Sequence, residues 1–319
     1  MQIVRDLQEL PDLARGSAVT IGNFDGVHLA HRRLLQRVAA SAHAGRVTSV
    51  AVTFHPHPIR VLTPHRAPQT LTSMDQKIKL IAELGIDALV VLQFTRELAH
   101  LSPEEFVRRI LVERLRARMV WVGSNFRFGY RQAGDVETLS RLGRKESFDV
   151  DIVSTVRIRG QLVSSTRIRQ LLAAGRVYMA ARLLGRPFSN SGCIVAGLGV
   201  GRRHTVPTLN LESAEEQLPA PGIYVTCTRL AGVTHFSVTN VGHKPTFGEH
   251  PMTVETHLLD FEGSVREEEM EVEYLHRLRD EIRFQNAALL KLQIQEDIRR
   301  ARKFFRLVDN FHIEKSALR

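Results

Sequence analysis

The segment GNFDGVHLAH (Gly22 to His31) places His28 and His31 one helical turn apart, at the start of a helix-like stretch that leaves a glycine-bearing turn. Backbone N–H groups at a helix start lack intrahelical partners and sit at the positive end of the dipole, so a phosphate meets donors and favourable potential together. Two imidazoles on one face add donors to that site. Taken alone, the pair reads more readily as a surface turn with two exposed histidines. A helical metal pair is disfavoured, because it needs spacing four and a third ligand. A second cluster, Ser164-Ser165-Thr166-Arg167-Ile168-Arg169, sets hydroxyls and two guanidiniums at the expected start of another helix. It suits a polyphosphate and equally reads as a helix cap with exposed arginines. A third stretch holds Gly192, Gly197, Gly199 and Gly201 around Arg202-Arg203, followed by Pro207-Thr208-Leu209-Asn210. Such glycines let backbone amides approach a phosphate, and plain hairpins use them as well. In the alternating run from Thr253, period two puts Glu255 and His257 on one face and Thr256 on the other. A carboxylate so placed can draw a proton from a hydroxyl, or it is an ordinary solvent-facing strand residue.

The elements that must position these groups follow from the pattern of the chain. Its 319 residues and 36.0 kDa fit two domains. An apolar fraction of 43% and a charged fraction of 24% are those of a folded protein rather than a disordered one. Short β-branched or apolar runs at Ser17 to Ile21, Val47 to Phe54, Ala88 to Phe94 and Met119 to Val122 alternate with helical patterns at His28 to Ala44, Met74 to Leu84 and Pro103 to Arg116. Strand and helix alternating at this spacing predict a parallel α/β sheet, whose ligands bind beyond the carboxyl ends of the strands. Gly22 to His31, His55 to Pro58 and Gly123 to Gly129 all fall there. One further helical stretch follows Ser164-Ser165-Thr166 to about Leu184 and ends at Gly185-Arg186-Pro187, and the boundary is expected there, with domains 1–185 and 186–319. From Gly192 to about Glu273 short alternating runs separated by Gly and Pro predict antiparallel sheet or a small barrel. The tail from Asp280 to Phe311 has the period of an amphipathic helix packed on that barrel.

The net charge of +10 and the pI near 10.2 point to anionic partners without separating nucleic acid from phosphorylated small molecules. A nucleic-acid surface would interleave aromatics with its basic residues, and aromatics are only 6% of the chain. Two cysteines, Cys193 and Cys227, with no CxxC exclude a disulfide framework and a cysteine zinc site, and fit a reducing cytoplasm. Charged residues interrupt the N-terminal stretch where a secretory signal needs an apolar core, and no apolar run approaches the roughly 18 residues of a membrane span. Neither export nor membrane insertion is expected.

The blocks GNFDGVHLAH, TFHPHP, VGSNFRFG, VSSTRIRQLL and LLGRPF resemble, in the same order, those of the prokaryotic bifunctional riboflavin kinase/FMN adenylyltransferases, and the first carries an HxGH-like nucleotidyltransferase signature. The resemblance implies a Rossmann-like nucleotidyltransferase domain in which His28 and His31 face the ATP phosphates. It also implies nucleotide or flavin contacts from Asn23, His57 and Asn125, and from Ser164, Ser165, Thr166, Arg167 and Arg169. Adenylyl transfer needs no enzyme nucleophile: the FMN phosphate attacks the α-phosphorus of ATP and pyrophosphate leaves, so alignment and charge neutralisation are what the site must supply. This chain departs from the family at Ala30, where the signature has glycine, and at His55, where an acidic residue often precedes Pro-His-Pro.

The glycines, PTLN, PGIYV, TNVGHKPTF and VETHLLDF resemble the riboflavin kinase domain through most of its length. That implies a six-stranded barrel with a C-terminal helix, Gly197, Gly201 and Arg202 at ATP, Thr208 and Asn210 at Mg²⁺, and Glu255 as the base for the 5′-hydroxyl of riboflavin. Here His204-Thr205-Val206 replaces the usual Leu-Gly-Phe, and EGSVREEEME (Glu262 to Glu271) stands where Asp-Leu-Tyr-Gly is usual. The expected function is phosphorylation of riboflavin to FMN and adenylylation of FMN to FAD, with ATP as co-substrate and Mg²⁺ as cofactor. The alternative is FMN adenylylation alone beside a degenerate flavin-binding barrel. The expected partners are riboflavin, FMN, FAD and ATP, with neither nucleic acid nor membrane, in a cytoplasmic monomer or transient oligomer.

Overall fold

A computed structural model of the chain describes residues 1–10, 13–195, 206–212, 217–243, 252–262, 265 and 268–317, with backbone only for 8 and 309–317. It comprises two compact units, Met1–Ser165 and Thr166–Arg319.

The first unit is built on six parallel strands: β1 (Gln2–Val4), β2 (Ser17–Ile21), β3 (Thr48–His55), β4 (Ala88–Gln93), β5 (Ala117–Gly123) and β6 (Asp149–Val153), in the order β1-β4-β3-β2-β5-β6. The runs SAVTI and ALVVL are buried at every position, as strands covered on both faces must be. One face packs on α1 (Leu29–Gly45) and α3 (Met74–Ala82) through Leu34, Leu35, Val38 and Ile81. The other packs on Phe106, Val107, Ile110, Leu111, Leu139 and Leu142. Ser102 and Glu105 form a capping box at the start of the helix that opens at Pro103. Past Phe106, however, the stretch predicted as one α-helix continues as a π-helix, Val107–Arg114. The chain winds outward from β2 in both directions, to β3 and β4 on one side and to β5 and β6 on the other. The carboxyl ends of β2 and β5 therefore flank the topological switch point, where open α/β sheets hold ligands. A small hairpin, β7 (Arg157–Ile158) and β8 (Gln161–Leu162), completes the unit.

In the second unit the stretch predicted as one helix to Leu184 is two, Ser165–Ala173 and Val177–Leu184. Gly175 separates them at φ 68, a left-handed turn that favours glycine, with the Arg277 side chain lying over it. Six antiparallel strands follow: β9 (Phe188–Val195), β10 (Leu209–Glu212), β11 (Gly222–Leu230), β12 (Val233–His243), β13 (Met252–Leu258) and β14 (Glu269–Arg279). They close as a barrel in the order β10-β13-β12-β11-β14-β9.

The barrel interior mixes stacked aromatics with hydroxyls. Tyr224, Tyr274 and Phe188 pack ring against ring. Thr226, Thr228, Ser237, Thr239 and Thr256 bond one another at 2.7–2.9 Å with no exposure to solvent. Outside, Val225, Val238 and Leu259 pack on Ala301 and Phe305 of the C-terminal helix Ala287–Ala317. The helix is fastened by Arg279, whose guanidinium donates to both Asp297 carboxylate oxygens at 2.7–3.1 Å in a nearly dry site.

Candidate functional site

β2 delivers the chain into a tight loop at the switch point. Phe24, Gly26 and Val27 all take positive φ, at 47°, 80° and 38°. For the two non-glycine residues this costs about 1–2 kcal/mol each, so neighbouring segments must hold the loop. Leu71 N–H donates to Asp25 Oδ1 at 2.8 Å, Gly26 N–H to Thr72 Oγ1 at 3.2 Å, Thr53 Oγ1 to the Asn23 carbonyl at 3.2 Å and Ser165 Oγ to the Asp25 carbonyl at 2.9 Å. The Ser165 hydroxyl, expected toward ligand, thus serves to pin the loop.

The loop ends at His28, the N-cap of α1, whose Nδ1 accepts from the His31 N–H at 3.3 Å. One backbone donor expected to be open is therefore capped by the histidine itself. Accepting at Nδ1 leaves the ring proton on Nε2, so His28 presents an N–H donor beyond its cap. The His28 and His31 rings stack at 3.6 Å between centroids, and the Phe24 ring meets His31 edge-on at 5.4 Å. Burial first, then the neighbouring His28 and Lys77 charges, hold His31 well below the usual imidazole range, and it is uncharged at neutral pH. Lys77, on α3, is itself only 7% exposed, and Asp25 opposes its loss of charge on burial.

The loop also holds one other predicted residue, and the rest lie on later elements. Asn23 lies within it, half-buried. His57 follows β3 and caps the short helix α2 (Pro58–Leu62), its Nδ1 accepting from Ile59 N–H at 3.3 Å. Asn125 lies exposed in the turn after β5, and a Cβ on Gly123 would come within 3.3 Å of its Oδ1. Ser164 precedes the helix Ser165–Ala173, whose first turns carry Thr166, Arg167 and Arg169; Arg167 donates to Gln170 Oε1 at 3.2 Å. Ala30 falls in the first turn of α1, and His55 ends β3 exposed. Asp25 and Lys77 went unmarked in the sequence, although Asp25 stands inside the singled-out motif.

In the barrel, Thr208 is exposed just before β10, and Asn210 on β10 is nearly buried. Asn210 pairs across the strands with Glu255 on β13, and Glu255 pairs in turn with Asn240 on β12. Residues directly opposite in antiparallel strands point to the same face. Since Thr239 and Thr256 bond each other inside the barrel, the row Asn210, Glu255, Asn240 faces outward, as period two requires. His257 Nδ1 lies 2.9 Å from the Pro207 carbonyl and ties β13 to the segment bearing Thr208. Gly197, Gly201, Arg202 and the His204-Thr205 departure lie outside the described residues. Among the described residues no three His, Cys, Asp or Glu side chains are grouped to hold a metal ion, and no helix is long and apolar enough to cross a membrane.

The first unit thus sets an imidazole pair at the switch point of a doubly wound parallel sheet, and the second sets a carboxylate between two amides on a closed antiparallel barrel. The FAD synthetase family matches residues 10–167, and the riboflavin kinase family matches residues 184–305. The bifunctional riboflavin kinase/FMN adenylyltransferase of Pseudomonas fluorescens is 38% identical over 95% of this chain and 97% of its own length. That of Escherichia coli K12 is 34% identical over 96% of this chain and 99% of its own. The crystal structure of a macrolide-efflux protein from Streptococcus pneumoniae superposes with TM-score 0.84 at 26% identity, covering 94% of this chain and 98% of that one. The chain belongs to the bifunctional riboflavin kinase/FMN adenylyltransferase family and carries both transferase domains.

Proposed function

We propose that residues 1–185 adenylylate FMN to FAD and residues 186–319 phosphorylate riboflavin to FMN, with the two chemistries carried by the imidazole pair and by the Asn210–Glu255 row. The riboflavin kinase match begins at residue 184, close to the proposed boundary, while the FAD synthetase match ends at residue 167 and the compact units divide after Ser165.

For adenylyl transfer the supporting observation is the stacked His28–His31 pair on a loop held from three sides at the switch point. His28 Nε2–H donates to an ATP phosphate oxygen, where charge builds as the FMN phosphate attacks and pyrophosphate leaves. His31, kept neutral by its burial, donates beside it from a ring stacked 3.6 Å from that of His28. Asn23, His57 and Asn125, on loops after β2, β3 and β5, contact nucleotide or flavin. Ser164, Ser165, Thr166, Arg167 and Arg169 serve the departing phosphates, Ser165 by fixing the loop.

For the kinase the supporting observation is the register that sets Glu255 between two amides. Glu255 takes the proton of the riboflavin 5′-hydroxyl as the hydroxyl oxygen bonds to the γ-phosphorus of ATP, the bond from that phosphorus to the β,γ-bridging oxygen breaks and ADP leaves. Thr208 and Asn210 bring hydroxyl and amide oxygens to the same edge, a donor set that suits Mg²⁺, which keeps waters and phosphate oxygens as its other ligands. Mg²⁺ held by these two side chains would supply neutralisation of the triphosphate charge. Gly197, Gly201 and Arg202 contact ATP. The cytoplasm, where ATP and reduced thiols are available, is the compartment this reading calls for; neither nucleic acid nor membrane takes part, and the protein acts as a monomer or transient oligomer.

The reading with a degenerate barrel differs in one outcome, the loss of FMN formation. Full-length His28→Ala is expected to lose FAD formation from FMN by 10²-fold or more while FMN formation from riboflavin persists, and Glu255→Gln to show the reverse. A Glu255→Gln variant that still phosphorylates riboflavin at the wild-type rate would remove the base from this account.

A further inference from the structure

We propose that Asn240 is a substrate-positioning residue of the kinase site, its amide oxygen accepting a hydrogen bond from a secondary hydroxyl of the ribityl chain next to the hydroxyl that Glu255 deprotonates. The inference rests on the kinase reading above and adds to it which group orients the acceptor.

Three observations carry it. Asn240 and Glu255 are directly opposed in the β12–β13 register, which sets their Cβ atoms roughly 5 Å apart on one face. The neighbouring Thr239–Thr256 bond at 2.9 Å, fully buried, fixes that face as the outer one. Finally, Asn240 Oδ1 is buried and has no hydrogen-bond partner. A buried carbonyl oxygen without a donor is a net liability to the fold, and such atoms call for a group that arrives later.

The chemistry of the site narrows what that group is. Asn240 Oδ1 accepts and cannot donate. The ionised Glu255 carboxylate and the ATP phosphates are acceptors too, so neither satisfies it. Riboflavin brings donors: its ribityl chain carries hydroxyls on consecutive carbons, so when the terminal one lies at Glu255 the next is within reach of a side chain one strand away. Asn240 thereby fixes the rotation of the chain about its last carbon–carbon bond, which decides whether the 5′-oxygen points at the γ-phosphorus.

The full-length Asn240→Leu variant, close in volume to the wild type and apolar, separates this role from a structural one. Its expected KM for riboflavin is roughly tenfold higher, with KM for ATP and the rate of FAD formation from FMN unchanged. Because the variant deletes an unpaired buried acceptor, its melting temperature is expected to equal or exceed that of the wild type, whereas a structural asparagine would lower it. Wild-type enzyme is expected to discriminate against 4′-deoxyriboflavin, and Asn240→Leu to lose that discrimination. Asn240→Ser, which keeps a hydroxyl acceptor, should fall between the two and serves the same comparison if the leucine variant does not fold. An active variant with unchanged riboflavin KM, or one whose ATP or Mg²⁺ dependence moves instead, would overturn the assignment of Asn240 alone. A wild-type chain that makes FAD from FMN but no FMN from riboflavin would overturn the kinase reading with it.

Discussion

His31 owes its charge state to where helix α1 begins: the turn that makes His28 the N-cap stacks the two rings and shuts His31 against Phe24 and Lys77. In the unfolded chain its imidazole binds a proton near pH 6.5, and in the fold it resists protonation. Below about pH 6.5 the unfolded state therefore holds more protons, and stability falls as pH drops, while above it the group contributes no pH dependence. Melting temperatures recorded between pH 8 and 5.5 are expected to fall more steeply for wild type than for His31→Asn; parallel curves would contradict the assignment. A second prediction concerns the cysteines. Burial, with Glu273 beside it, pushes the Cys227 thiol up to about 11, whereas Cys193 is exposed. Since the thiolate is the reactive species, iodoacetamide at pH 7.5 should modify Cys193 in the folded protein and spare Cys227, as peptide mapping would read. The histidine pair was legible in the sequence because spacing three at a helix start already puts two rings on one face. Lys77 was not, because a lysine in an amphipathic helix reads as solvent-facing, and only the fold brings Asp25 and His31 to it.

The elements that carry both sites follow local rules closely, with exceptions that have physical causes. The central strands were readable because strands covered on both faces are almost wholly apolar. The edge strands β1 and β6 were not, since Gln2–Val4 is three residues long and Asp149–Val153 leaves one side open to water. The barrel was recognisable from its alternating runs, but β12 and β13 turn threonines inward, where their hydroxyls satisfy one another, and hydropathy alone assigns such residues to the surface. The C-terminal helix was visible by its period, while the ion pair that seats it was not. Arg279 and Asp297 have side chains 16% and 3% exposed, and breaking a buried pair leaves an uncompensated charge. Asp297→Ala is expected to destabilise the protein by about 3–5 kcal/mol in urea unfolding, and Arg279→Met with Asp297→Leu to recover most of that loss. A single variant within 1 kcal/mol of wild type would show that the apolar seam at Ala301 and Phe305 suffices to hold the helix.

For the whole molecule the basic balance, +10 at neutral pH, is consistent with a chain whose substrates and products carry phosphate. The order of the domains does not dictate the order of the chemistry: the product of the barrel, FMN, is the acceptor of the domain that precedes it. Two full-length variants, each silent in one half, should therefore complement each other when mixed, since free FMN links them. His28→Ala and Glu255→Gln together in one tube are expected to restore FAD formation from riboflavin that neither achieves alone. The measurement that bears most directly on the account is simpler: the wild-type chain with riboflavin, ATP and Mg²⁺, its products separated by chromatography over time. The account predicts FMN first and FAD after it, with pyrophosphate released only as FAD forms. FAD from added FMN but no product from riboflavin would contradict the kinase half, and turnover of neither flavin by folded protein would contradict the whole.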